Sequence, residues 1–281
     1  MFPVRFTILG SGTSAGVPVI GCDCTVCTSA DPRDQRTRSG ACVEYIDRQG
    51  QPRVVLIDAS PDLRFQALRQ RLNRCDAILF THHHVDHVFG LDEVRRFNAI
   101  MEAPIDIYAE PHTLENLQRV YRHIFESHKN VNPSFVATLI ANLIEPDKPL
   151  DLHGLRFTPL RLMHGRLPIV GYRLDRTGGS ATIDADDPLP LAYCTDVSSI
   201  PPETWPALRG LKTLFLDALR YRHHPTHFTV DQAIEAAQRI GAGQTWLVHM
   251  THDIMHRELE SQLPERIRLS YDGLSVGRLA G

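Results

Sequence analysis

The stretch that decides the fold is Thr81-His82-His83-His84-Val85-Asp86-His87, which follows a short apolar run. In an extended chain alternate residues point the same way, so His82 and His84 can face one cavity. Where the chain then turns into a helix, Asp86 and His87 can face that cavity too. Imidazole and carboxylate groups suit zinc and similar ions. The stretch therefore predicts two adjacent metal positions, and the alternative is a solvated polar turn.

Composition excludes several classes of protein. The 281 residues include 30 Lys+Arg and 33 Asp+Glu, which gives a formal net charge of -3. This balance argues against bulk electrostatic binding to nucleic acid or to an anionic membrane. The mean hydropathy is -0.20, and no apolar run reaches the roughly 18 residues that a membrane span needs. A hydrophobic content of 42% and a charged content of 22% suit a globular protein with a sizeable core.

The cysteines point to a reducing compartment. The opening MFPVRFTILGSG lacks a long apolar stretch followed by a cleavage site, so we expect no signal peptide and a cytoplasmic location. Three of the six cysteines crowd into residues 22–27, and the other three are scattered. A disulfide scaffold would be shorter and more evenly studded with cysteine. Three close, reduced thiols therefore suggest a metal.

A second metal site is predicted at the cysteine cluster. Cys22, Cys24 and Cys27 can reach one soft ion, and His252 can supply the fourth ligand. A closed site with three cysteines and one histidine holds a structural zinc, because no position is left for substrate. It would also pin this N-terminal loop beside the strand that precedes His249. The alternative is three ordinary buried cysteines or a reactive thiol pair.

The chain alternates short apolar runs with longer amphipathic ones, which favours a layered α/β architecture in a single domain over residues 1–281. Apolar residues recur at helical spacing over His87–Met101, so we predict one continuous helix there. Segment 126–150 is less regular and reads as an insertion or a lid.

The histidine run resembles the signature of the metallo-β-lactamase superfamily, and further motifs follow in that family's order. Asp58 matches the aspartate that supports the metal loop, and His164 matches the third motif. Asp196 matches the carboxylate shared by two ions, and His249 matches the last ligand. The resemblance implies a four-layer αββα sandwich. Independently, His164, Asp196 and His249 each fall at or just beyond a predicted strand end, where sites collect in open sheets.

The resemblance also implies a complete ligand set for two divalent ions, zinc or manganese. One ion would be held by three histidines and the other by Asp86 with two histidines, while Asp196 would join both. Asp58 would hold ligands by hydrogen bonds from outside the coordination sphere. The implied ligands are His82, His84 and His164 for the first ion, and Asp86, His87 and His249 for the second.

A basic segment, residues 220–227, precedes a predicted helix and makes an anion site plausible. Arg222 and His224 are our candidates for contacts with a substrate phosphate, with His223 as the alternative to His224. A solvated loop is the competing interpretation.

Three further stretches indicate a narrower family, because they resemble PhnP-type phosphodiesterases. They are residues 9–18, the cysteine cluster and the tail 271–274. PhnP-type phosphodiesterases are cyclic-phosphate hydrolases associated with phosphonate breakdown. In a two-metal mechanism Asp86 could orient the nucleophile while it binds a metal. The resemblance implies that His227 is a general acid. It also suggests a homodimer. Ribonuclease Z shares a similar opening but lacks the cysteine cluster, and PqqB departs from the full histidine run.

The sequence thus predicts a metallohydrolase that cleaves a small phosphodiester, such as a ribose or nucleotide cyclic phosphate, with a hydroxide shared by two ions. Three alternatives stay open: a lactonase or thioesterase of the same fold, a ribonuclease Z-like enzyme, and a non-catalytic PqqB-like protein.

Overall fold

The computed structural model describes residues 3–132, 134–178 and 186–279. The strands are β1 (Val4–Gly10), β2 (Gly40–Ile46), β3 (Pro52–Ile57), β4 (Ala77–Leu79), β5 (Ile105–Ala109), β6 (Leu139–Leu143), β7 (Leu150–Leu152), β8 (Leu155–His164), β9 (Leu167–Arg176), β10 (Leu191–Cys194), β11 (Thr213–Asp217), β12 (Gln244–Val248), β13 (Ile267–Leu269) and β14 (Ser275–Gly277). The α-helices are α1 (Leu63–Gln70), α2 (Val85–Val88), α3 (Arg95–Met101), α4 (Pro111–Val120), α5 (Arg122–Phe125), α6 (Val230–Ile240) and α7 (His256–Glu260). Short 3-10 helices lie at Pro32–Asp34, Leu91–Val94, Ser127–Lys129 and Trp205–Leu208.

The described strands form two mixed sheets of seven strands each. The first has the order β14-β1-β2-β3-β4-β5-β6, and the second has the order β13-β12-β11-β10-β9-β8-β7. From β3 to β6 the neighbours are parallel, as are β10 to β13. The carboxyl ends of these parallel strands carry the loops in which the site residues lie, which is where sites collect in open sheets.

Three apolar clusters define the layers. Side chains of both sheets, such as Phe6, Tyr172 and Phe215, pack together between them. A second cluster joins the outer face of the first sheet to α1, α3 and α4. A third joins the outer face of the second sheet to α6. The result is helix, sheet, sheet and helix in four layers, so the predicted αββα sandwich is confirmed.

The structure corrects the helix predicted over His87–Met101 and adds detail to segment 126–150. The helix predicted over His87–Met101 is broken into α2, a 3-10 turn and α3. The break falls at Gly90, where an added Cβ would lie 1.9 Å from the Ser60 carbonyl oxygen. Segment 126–150, predicted as an insertion or lid, contains β6, which pairs in parallel with β5 and extends the first sheet. Among the described residues, no helix combines the length and apolar character needed to cross a bilayer.

Candidate active site

The site lies where the chain leaves the carboxyl ends of central strands in both sheets. Asp58 follows β3, Asp196 comes two residues after β10, and His249 follows β12. All three have positive φ angles, 64°, 60° and 64° respectively. The left-handed region is costly for residues with a Cβ, and such strain clusters at functional sites. At each strand end the chain therefore turns sharply and directs a polar side chain into the gap between the sheets.

The first group of candidate ligands is His82, His84 and His164. Their ligand atoms all lie within 4.8 Å of one another. Burial lowers the pKa of each ring, and it does so most strongly for the fully buried His82. Neutral imidazole is the form that binds a metal, so the environment favours the ligating state.

The second group is Asp86, His87, Asp196 and His249, whose ligand atoms also lie within 4.8 Å of one another. The two oxygens of Asp196 lie 3.1 Å from His87 Nε2 and 3.2 Å from His249 Nε2. Oδ1 of Asp196 also lies 4.0 Å from His82 Nε2, a nitrogen of the first group. Asp196 therefore stands at the junction of the two groups, the position that the family resemblance implies for a shared carboxylate.

Hydrogen bonds outside the cluster fix the orientation of the rings. His87 donates its Nδ1–H to Asp58 at 2.7 Å, and His164 donates its Nδ1–H to the Thr226 carbonyl at 2.8 Å. Each bond leaves Nε2 with a free lone pair, which is how metal-binding histidines are oriented. The Nε2 atoms of His82, His87 and His249 are buried and have no hydrogen-bond partner. Buried nitrogens without a hydrogen-bond partner, one in the first group and two in the second, fit bound cations.

The buried charges of the cluster also indicate that it can bind cations. Burial alone would raise the pKa values of Asp86 and Asp196, but the surrounding imidazole rings lower both. For His87, burial lowers the pKa, but the carboxylates of Asp196, Asp86 and Asp58 raise it overall. Three buried carboxylates in one place need compensating positive charge. The residues present therefore fit divalent ions.

His227 lies against this cluster and is held by a buried carboxylate. Its Nδ1 donates to Asp217 at 3.1 Å, and its ring centroid lies 4.6 Å from that of His164 and 4.8 Å from that of His249. Burial lowers the pKa of His227, but the charge and hydrogen bond of Asp217, together with the charges of Asp196 and Asp86, outweigh burial and raise the pKa to about 8. The ring is thus positioned as a proton donor near neutral pH.

The other two candidate residues of the basic segment, His224 and Arg222, differ in how well they are placed to contact a substrate phosphate. The His224 ring lies 5.2 Å from the His227 ring, and its Nδ1 accepts a hydrogen bond from the Thr226 backbone. The side chain of Arg222 is 74% exposed and lies 3.7 Å from Asp253. The predicted contact of Arg222 with a substrate phosphate would require it to leave this ion pair. His224 is the better placed of the two candidates.

The cysteine cluster comes together as predicted. His252 Nδ1 lies 3.3 Å from the sulfur of Cys22, 3.5 Å from that of Cys24 and 3.4 Å from that of Cys27. A tetrahedral zinc with Zn–S of about 2.3 Å and Zn–N of about 2.0 Å sets sulfur and nitrogen about 3.5 Å apart. A backbone hydrogen bond from Cys27 is the main cause that lowers the pKa of Cys24 to about 6. These four residues fit a zinc ion, and we call them the thiolate site.

Sequence reasoning missed Asp217. This carboxylate is fully buried and accepts from the backbone N–H of Asp196 and of Phe228, each at 3.1 Å, besides His227. It also lies 3.6 Å from Nδ1 of the candidate ligand His249. A signal was present, because Asp217 ends an apolar strand just as Asp58 follows one, but no histidine run marks it.

Comparisons with known proteins agree with this geometry. Residues 53–250 match the family described as the beta-lactamase superfamily domain. The crystal structure of a new diphosphatase from the PhnP family is 39% identical, covers 99% of this chain and 98% of that chain, and superposes with a TM-score of 0.85. Zn(2+)-bound PqqB from Methylobacterium extorquens has a TM-score of 0.72 at 20% identity, with 97% of this chain and 99% of that chain covered. The PqqB match shows the fold alone.

A longer relative is the octanoyltransferase of Porphyromonas gingivalis, which is 38% identical over 275 residues. The match covers 97% of this chain but 51% of that protein, so the chain spans about half of this relative's length. The family match over most of the chain and the alignment with the diphosphatase over almost the whole of both chains identify the same family. The chain belongs to the β-lactamase superfamily, with the metallo-β-lactamase fold, and within it to the PhnP family.

Proposed function

We propose that this hydrolase is a metal-dependent phosphodiesterase that cleaves a small phosphodiester, cyclic or linear. The observation that carries the proposal is the position of His227. Its ligand atom lies within 4.8 Å of those of His164 and Asp196, and its ring is held by Asp217. A proton donor fixed beside a two-ion cluster suits the departure of an alkoxide, which is a poor leaving group without a proton.

His82, His84 and His164 would hold one ion, and Asp86, His87 and His249 would hold the other, with Asp196 between them. When bound, such ions polarise phosphoryl oxygens and lower the pKa of water. Zinc or manganese suits these imidazole and carboxylate ligands. The zinc-bound state of the PqqB relative supports zinc as one choice for this fold.

The chain's own residues would divide the remaining work. Nδ1 of His227 donates to Asp217, so Nε2 is the nitrogen left to protonate the leaving oxygen. Asp86 lies 3.4 Å from His87 Nε2 and 3.6 Å from His249 Nε2, so it can accept a proton or orient water at the same ions. His224, next to His227, accepts from the Thr226 N–H at Nδ1, so its Nε2–H would be free to donate a hydrogen bond to a phosphate oxygen.

The names of relatives support phosphorus–oxygen chemistry without deciding the substrate. The diphosphatase relative acts on a diphosphate, which has the same phosphoryl centre as a phosphodiester. The octanoyltransferase name describes a protein about twice the length of the matched region. Acyl chemistry is therefore the rival that an experiment must exclude.

The decisive experiment is a substrate panel at fixed metal content. It compares ribose cyclic phosphates, cyclic nucleotides, linear phosphodiesters, diphosphate diesters, lactones and an octanoyl thioester. We expect kcat/KM to be highest on a phosphorus substrate. Asp196→Ala, measured in parallel, shows which activity depends on the two-ion cluster. A higher kcat/KM on the lactone or thioester, lost in this variant, would refute the proposal.

A further inference from the structure

We propose that the thiolate site controls how tightly the Asp86, His87 and His249 group holds its ion. The connection is the segment 249–254, which carries a ligand of each site. This inference concerns ion binding, and it holds or fails whether or not the substrate is a phosphodiester.

The first step is the spacing of the ligands. His249 and His252 are separated by two residues, so one short piece of backbone serves both sites. His249 has a φ of 64°, a conformation that a residue with a Cβ keeps only when its surroundings impose it. The ends of segment 249–254 must therefore be held for His249 to face its ion.

The second step is the backbone pairing of this segment with the N-terminal loop. Met250 N–H donates to the Ser11 carbonyl at 3.0 Å, and Thr13 N–H donates to the Met250 carbonyl at 3.2 Å. Met250 directly follows His249 and is fully buried. The loop that begins at Ser11 continues to the three cysteines, so an ion bound by them closes the loop onto His252.

The third step is Arg36, which follows the cysteines. Its side chain is fully buried, donates to the Thr251 carbonyl at 2.8 Å and to the Ile254 carbonyl at 2.7 Å, and pairs with Asp34 at 3.0 Å. Arg36 is thus a positioning residue: it touches no reacting group, but it holds both sides of His252. Another bond, from Thr251 N–H to the Leu219 carbonyl, holds the segment to the loop that follows β11.

Loss of the thiolate ion should weaken one of the two cluster ions much more than the other. Without an ion at the thiolate site, the N-terminal loop loses its link to His252, and His249 is held less firmly. Partners that orient metal ligands from outside the coordination sphere typically change metal affinity by about 10–100-fold. His82, His84 and His164 lie outside this segment, so the ion that they hold should be affected little.

The test begins with the unmodified holoprotein. A mercurial, p-hydroxymercuribenzoate, is titrated to remove the thiolate ion, and bound ions are counted while a chelator is raised. Cys42, Cys75 and Cys194 are fully buried, so the exposed edge of the thiolate site should react first. We expect one of the two remaining ions to leave at about tenfold lower free chelator. Retention of both ions with unchanged affinity would overturn the proposal.

Variants supply a second, independent measurement. Cys24→Ser and Arg36→Lys should each weaken one of the two cluster ions by about tenfold and leave the other unchanged. Cys75→Ser, the loss of a buried thiol elsewhere in the fold, is the matched control. His249→Ala identifies which binding step belongs to the affected position. Equal weakening of both ions would indicate general destabilisation and contradict the proposal. If a variant fails to fold, the mercurial titration decides.

Discussion

The orientation of individual histidine rings in this site is fixed by hydrogen bonds to residues outside the candidate ligand groups. His87 is held by Asp58, His164 by the Thr226 carbonyl, and His227 by Asp217. In each case one ring nitrogen donates and the other is left for chemistry. The same imidazole side chain is thus oriented to bind a metal in two places and, in our proposal, to donate a proton in the third.

Replacing His227 by alanine should affect substrates unequally. A general acid contributes about 10²–10⁴-fold when the leaving group needs a proton. We expect a loss of about 10²-fold or more on an alkyl diester, and a much smaller loss on bis(p-nitrophenyl) phosphate, whose leaving group departs unaided. Comparison of kcat on the two substrates is the measurement. Equal losses on both would exclude the general-acid role.

Among the elements, helix α2 contributes most to the site for its length, because two of its four residues are Asp86 and His87. It ends where the Gly90 N–H donates to the Ala59 carbonyl at 2.8 Å, next to Asp58. This contact sets the helix that carries two candidate ligands against the strand end that carries Asp58, the hydrogen-bond partner of His87.

Gly90→Ala tests this packing. The added Cβ would lie 1.9 Å from the Ser60 carbonyl oxygen, so backbone must shift. Overpacking of this kind costs about 1–3 kcal/mol, and we expect the upper end of that range. Chemical denaturation gives the free energy of unfolding. Gly40→Ala, whose Cβ would meet its nearest neighbour at 3.7 Å, is the control and should change stability little.

The start of α7 gives a pH-dependent prediction. His256 is buried, with Arg33, Arg36, Asp31 and Asp34 around it, and burial together with the two arginines lowers its pKa to about 4. Because the unfolded state binds the proton more readily, this residue favours folding above about pH 6.5, and that contribution is lost as pH falls to about 4.

His256→Asn should therefore have a Tm that falls less steeply than that of the wild type between about pH 6.5 and 4. The difference between the two proteins is the quantity to compare, because acid also releases metal from other histidines. Parallel curves over this range would show that folding does not lower the pKa of His256, and would contradict the prediction.

At the scale of the whole molecule, the cluster exists because two sheets face each other. His82, Asp86 and His87 come from the first sheet, while His164, Asp196 and His249 come from the second. Asp196 spans the gap, since its carboxylate reaches His87 across the interface between the sheets and His249 within its own sheet.

Asp196→Ala should release both cluster ions, because each group loses a shared negative ligand. The thiolate ion should remain, since none of its four ligands is changed. Metal analysis of the purified variant, with a thermal unfolding curve as a check of folding, measures this. A variant that keeps both cluster ions at wild-type affinity would rule out Asp196 as their common ligand.

Short apolar runs in the sequence coincide with the strands in the middle of both sheets, and residue types and spacing identify the candidate ligands. Buried strands are short apolar runs, and their periodicity survives any tertiary context. The broken helix at Gly90 could not be foreseen, because its cause is a carbonyl from Ser60, thirty positions earlier. The edge strands β6, β7, β13 and β14 carry weaker sequence patterns, since at most one face of an edge strand needs to be apolar.

By itself, the sequence determined which residues can bind metal, because ligand chemistry is a property of side chains and their local spacing. Tertiary structure alone decided that Asp217 holds His227, that Arg222 pairs with Asp253, and that Arg36 reaches the segment between His249 and His252. These contacts join residues brought together by sheet packing and loop closure. Their geometry depends on backbone turns, such as the positive φ of His249, that the local sequence pattern does not reveal.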